Sequence, residues 1–156
     1  MVEEQHQYLR GYINAADQKA IFFFTICTGL LTYLNAQNIT SLWKKNIHTW
    51  CFTDFAACVA MIGLALASLL FLYVVTPRLK GSKKGVIFFR SIAEYDNGNE
   101  YAADIVRLGE KEIAVEKLKH CYELAKICNA KFNKLAWGLY IGGVAIFFAL
   151  LYLLVH

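Results

Sequence analysis

The chain has 156 residues, of which 58% are hydrophobic and only 18% charged, with a formal net charge of +4 and a single proline. A soluble domain is roughly 45–50% apolar and about 25% charged, so this composition and the mean hydropathy of +0.40 exclude an ordinary soluble globule, disorder, collagen and a disulfide-stapled secreted domain. An all-α membrane protein is the expected fold class, because one proline leaves long helices unbroken.

Residues 1–19 are polar and of mixed charge, and Tyr8, Tyr12, Ala15 and Ala16 lead into Ala20 at helical spacing, which predicts one helix over 4–36. The stretch 20–43 has no Asp, Glu, Lys or Arg, but Asn35, Gln37, Asn38, Thr40 and Ser41 make its second half polar, so the first span is placed at 20–36. The mixed charge before it, with no clear small-residue cleavage site after it, argues against a signal peptide. A short outer loop, 37–49, leads to the second span at 52–75, and 135–155 is the third. Each of these last two contains 21 consecutive uncharged residues (55–75 and 135–155), enough helix to cross the roughly 30 Å hydrocarbon core.

Between them lies the polar segment 76–134. After Pro77 the run RLKGSKKG is basic; 86–92 is apolar and reads as a short strand or a helical turn; YDNGNE supplies turn chemistry through Asp96, Asn97 and Gly98. From Glu100 the pattern is helical, and with no proline before Trp137 one uninterrupted helix from the hundreds to the end of the third span is expected. Twelve of the sixteen basic residues fall in 76–134 and two more, Arg10 and Lys19, in 1–19, against Lys44 and Lys45 on the other side of the spans. The positive-inside rule therefore places the N-terminus and the 76–134 segment in the cytoplasm. Trp43 and Trp50 would mark the outer interface and Trp137 the inner one.

So short a polar segment buries little core alone, which makes packing against further copies, as a homo-oligomer, the expected remedy. Gly138 and Gly142 form a GxxxG pair beside Gly143, and Ala56, Ala60, Gly63 and Ala67 recur every three or four positions. Such small residues serve helix association in membranes, either between protomers or among the three spans of one.

Catalysis has no recognisable carrier. GxxxxGK[ST], GxSxG, HExxH and GxGxxG are all absent, so neither enzymatic activity nor a cofactor is expected. Cys121 and Cys128 stand seven apart beside His120, a spacing that suits packing better than zinc, and no metal site is expected. The five cysteines read as reduced thiols. Asp54, at the outer end of the second span, reads as a helix cap ahead of a channel-mouth acid.

The cations Arg78, Lys80, Lys83 and Lys84 fall within seven residues. They suit anionic lipid headgroups, at roughly 1 kcal/mol per residue, or the phosphates of a nucleotide or oligonucleotide gathered across subunits, with Phe89, Tyr95 or Tyr101 to stack on bases. Thr25, Thr28, Thr32 and Asn35 share one stripe of the first span and are candidates to line a pore; equally, their hydroxyls would bond back to their own helix.

AADQKA before the first span, Pro77 after the second, IFFRSIAEY, Tyr101, and LAKICNAKFNKL before the third together resemble the Pycsar effector family of small bacterial membrane proteins of antiphage defence, over nearly the whole chain. The resemblance implies a nucleotide-regulated effector that compromises the inner membrane, causing abortive infection, with a cyclic pyrimidine mononucleotide as the family's best-known type of ligand. The chain resembles, to the same degree, the membrane effector of the Hailong system, in which a partner nucleotidyltransferase makes DNA oligomers that hold a channel shut. The partners so implied are further copies of the chain, as in a tetramer, a nucleotide or short single-stranded DNA from a nucleotidyltransferase or cyclase, and membrane lipids. Asp17 and Lys19 match the family's charged pair before the first span and Lys131 its lysine before the third. Two roles fit: Asp17 pairs with Lys131 and locks the long helices together, with Asp17 and Lys19 the structural charged pair, or Lys19 and Lys131 both face an anionic ligand; the ligand falls chiefly to Arg78, Lys80, Lys83, Lys84 and Arg90, with Lys126, Lys131 and Lys134 behind them.

Overall fold

The computed structural model describes residues 2–37, 50–76 and 89–155. Among these residues five helices follow in order: α1 (Val2–Ala36), α2 (Phe52–Val75), the single turn α3 (Phe89–Ile92), α4 (Gly98–Arg107) and α5 (Glu110–Val155). No strand occurs among the described residues. The apolar segment before YDNGNE thus ends as a helical turn, and α1, α2 and α5 are each long and apolar enough to cross a membrane. The protein is an all-helical membrane protein with three candidate spans.

The helix expected to run unbroken from the hundreds is two helices. α4 ends at Arg107, where Leu108 turns to extended backbone, and α5 starts at Glu110. Gly109 is the hinge: its carbonyl accepts from the backbone N–H of Glu112 at 2.9 Å, and its own N–H donates to the Glu112 carboxylate at 3.2 Å. That is half of a capping box, which satisfies an N–H that a new helix would leave bare. The glutamate three residues after a glycine is the signal that apolar periodicity overlooks. α4 starts in the same manner, with the Asn97 side chain accepting the Glu100 N–H at 2.9 Å.

By internal packing the chain divides into a polar unit, residues 1–14 and 77–130, and an apolar unit, 15–76 and 131–156. α1 and α5 contribute to both. In the apolar unit the buried positions of α5 run Lys131, Leu135, Gly138, Gly142, Ala145, Ala149 and Tyr152, and those of α2 include Ala57, Ala60, Leu64, Ala67, Phe71 and Val74. Alternating steps of three and four give a mean period of 3.5, the spacing of helices that cross at a shallow angle with side chains interdigitated. α1 adds Ala16, Ala20, Cys27 and Leu34 to this seam.

Glycine and alanine let the backbones approach. A Cβ on Gly63 would sit 2.7 Å from the Ala145 Cβ, and one on Gly138 the same distance from the Phe71 ring, which also stacks with Phe23 at 5.7 Å between centroids. Gly142 faces Ala67 and Cys27. Since lipid is as apolar as leucine, this close fit is what favours helix contact over lipid contact. The small residues are therefore used within one protomer, with the exception of Gly143, whose Cβ would meet nothing within 4 Å.

In the polar unit, α1 and α5 pack alongside one another in parallel. Glu3 pairs with Lys117 at 3.4 Å, and the His6 and His120 rings lie 5.1 Å apart. Tyr95 donates to Asp104 at 3.1 Å and packs edge-on against Tyr101.

Candidate functional site

The sequence assigns ligand binding chiefly to Arg78, Lys80, Lys83 and Lys84, which lie outside the described residues, as does the side chain of Arg90. Three other candidate cations are placed, and each has a different environment.

Lys131 is buried, at 6% exposure, and its ammonium is hydrogen-bonded to the Asp17 carboxylate of α1. A lysine taken out of water holds its charge only beside an opposite one, and Asp17 supplies it. Lys131 is thus committed to a partner within its own chain, which makes it a clamp between α1 and α5 and removes it from the cations free to meet a ligand. The expected pairing of Asp17 with Lys131 is therefore present; Lys19, two residues on and pointing to a different side of the helix, is exposed and, among the described residues, forms no ion pair with Asp17.

Lys134, one turn further along α5, lies over the Tyr73 ring of α2 at 3.7 Å from its centroid. A cation held on an aromatic face gains roughly 0.5–2 kcal/mol, and the contact joins the end of α2 to the start of the apolar part of α5. Tyr73 was not singled out in the sequence; its position one turn before Pro77 carried no mark of this partnership. Lys126, in the polar unit, is exposed and packs over Tyr122 of its own helix at 4.6 Å. Its ammonium stays open to solvent and to any anion.

On α1, Thr25, Thr32 and Asn35 are exposed and Thr28 is half-buried. All three hydroxyls donate back to their own helix: Thr25 to the Ile21 carbonyl at 3.0 Å, Thr28 to Phe24 at 2.8 Å and Thr32 to Thr28 at 2.8 Å. Back-bonding is the arrangement a hydroxyl needs to sit in lipid without an unsatisfied donor. The stripe nonetheless points away from α2 and α5, with Thr25 in an open groove beside Gln18, Ile21, Phe22 and Ile26. It is the polar face that the apolar unit leaves uncovered.

Asp54 is a cap. It is 7% exposed, and its carboxylate accepts the Cys51 N–H at 2.9 Å at the start of α2. Among the described residues no cluster of His, Cys, Asp and Glu is arranged to hold a metal ion.

The comparisons with known proteins bear on what this arrangement serves. No curated protein and no solved structure matches the chain. A family model described as the Pycsar effector protein domain matches residues 1–156, the whole chain. With three candidate spans and a polar unit on the same chain, the protein belongs to the Pycsar effector family and is a membrane effector of antiphage defence.

Proposed function

We propose that the chain assembles into a homo-oligomer, such as a tetramer, in the bacterial inner membrane, with the N-terminus and polar unit in the cytoplasm. An anionic nucleotide or short single-stranded DNA, made by a partner nucleotidyltransferase or cyclase, sets whether the assembly conducts, and conduction depolarises the membrane and aborts the infection. The protein acts through conformation and without catalysis.

The observation that carries this reading is the surface left on one protomer of a family effector. In the polar unit Val115, Leu118 and Tyr122, all on one face of α5, are about half or more exposed, as are Tyr8 and Tyr12 on α1. A water-facing unit with that much apolar surface is completed by another copy. In the apolar unit the Thr25, Thr28, Thr32 and Asn35 face supplies the polar wall a conducting path needs. Repetition of Arg78, Lys80, Lys83, Lys84, Arg90, Lys126 and Lys134 around an axis makes a deep positive field, and an anion that neutralises mutually repelling cations has the differential contacts required to shift a two-state equilibrium.

Conductance of the full chain in liposomes, with and without cyclic mononucleotides and short DNA oligomers, tests the proposal. A salt-sensitive, ligand-dependent change in current is expected, lost in the combined Lys80→Glu, Lys83→Glu and Lys84→Glu variant. Binding to anionic headgroups with no response to any nucleotide would instead make the protein a lipid-interacting scaffold, and current independent of all ligands a constitutive disruptor. Unaltered currents in both Thr28→Val and Asn35→Leu would remove α1 from the path.

A further inference from the structure

We propose that the packed rings of His6 and His120 form a proton-sensitive latch between α1 and α5 of the polar unit, closed when both imidazoles are neutral and released as they take up protons. The two rings lie 5.1 Å apart at a 39° tilt, close enough for their faces to pack as aromatic side chains. His6 Nε2 is buried and, among the described residues, has no hydrogen-bond partner. A neutral imidazole tolerates this if the buried nitrogen is the bare acceptor. A protonated one does not, because both ring nitrogens then carry hydrogens and one N–H is left buried and unsatisfied.

The surroundings reinforce the preference. From α1, Glu3 and Arg10 face the pair, and from α5, Lys117 and Glu123 do. Glu3 is itself paired with Lys117, which leaves Arg10 acting on both rings. Burial first, and then Arg10 and the neighbouring His120, hold the His6 imidazole below its ordinary value; burial and Arg10 lower His120 likewise, against the opposing pull of Glu123. An imidazole that binds its proton more weakly in the closed seam than in the open one opposes closure once the pH is low enough to charge the open form. Above the ordinary imidazole value of 6.5 both forms are neutral and the seam is at full strength. Below it the closed form loses stability progressively, until the pH falls beneath the lowered values of the pair. The polar unit has no large core to override such a change, and its packing therefore follows the acidity of the compartment it faces.

The test uses the full-length protein in nanodiscs. Proton NMR of the ring C2–H resonances, assigned by His6→Phe and His120→Phe, is expected to show both imidazoles titrating below 6.5. Amide hydrogen exchange in 2–14 and 114–126, corrected for intrinsic rates, is expected to quicken severalfold between about pH 7.5 and about pH 5.5 as the open form takes up protons that the closed seam binds more weakly. His6→Phe keeps an aromatic ring in the seam and is expected to flatten that dependence. Titration of both rings at or above the ordinary value, or protection in the unmodified protein that does not change with pH, would overturn the proposal. The measurements on the unmodified protein decide it even if a variant fails to fold.

Discussion

The apolar and polar units meet opposite demands with the same two helices. The buried core cluster lies entirely in the apolar unit, whereas the polar unit has only Ser91 and Cys121 buried among its described residues, and α4 buries none. Where lipid surrounds the helices, polar groups must be satisfied from within, and several are: Ser68 donates to the Leu64 carbonyl at 2.8 Å, Thr25, Thr28 and Thr32 bond to their own helix, and Lys131 meets Asp17. In the polar unit, charges remain exposed, and cohesion rests on one seam and a few surface pairs. Fit between small residues suffices in the first setting; in the second, a thin seam without a core is what the proposals of assembly and of proton sensitivity rest on.

Substitutions that strike one unit and spare the other sharpen this contrast. The largest effect is expected for Lys131→Met, which strands the Asp17 carboxylate among packed helices: about 3–5 kcal/mol of stability, read by denaturation in detergent. Adding Asp17→Leu should restore most of that loss, and no recovery would mean the pair contributes nothing specific. Gly63→Ala comes next, at about 1–3 kcal/mol, because the new methyl collides with the Ala145 Cβ, which has no rotamer to escape into. Gly143→Ala, with open space around it, should cost nothing in the protomer, so any loss of oligomer by that change, measured by cross-linking, would locate a contact between copies. In the polar unit, Asn97→Ala should cost about 1 kcal/mol through the lost cap, seen as faster amide exchange confined to α4. Smallest is Tyr73→Leu, about 0.5–1 kcal/mol from the lost seat of Lys134.

Much of the architecture was legible in the sequence because it rests on crude quantities. Long uncharged runs define α2 and the apolar part of α5, and back-bonding of the threonines was one of the two arrangements their chemistry permits. What escaped depends on local or paired detail. The break at Gly109 turns on a single glutamate placed to cap, a signal weaker than the helical periodicity on either side of it. Gly138 and Gly142 read equally well as a contact between copies, and only the position of Phe71, Ala67 and Cys27 shows them filled from within. The pairing of Asp17 with Lys131, by contrast, was expected from the family resemblance, and the structure contains it; what neither periodicity nor composition showed is that Lys131 is buried while Lys126, on the same helix, is exposed.

The pairs Glu3 with Lys117 and Asp17 with Lys131 share one sequence separation, 114 residues, and His6 with His120 repeats it. Contacts so distant along the chain are costly to close, and none of the three can form until more than a hundred residues have followed its α1 partner out of the ribosome. Until α5 is made, α1 carries an unanswered carboxylate at the edge of its apolar stretch, and the arrival of Lys131 is what neutralises it.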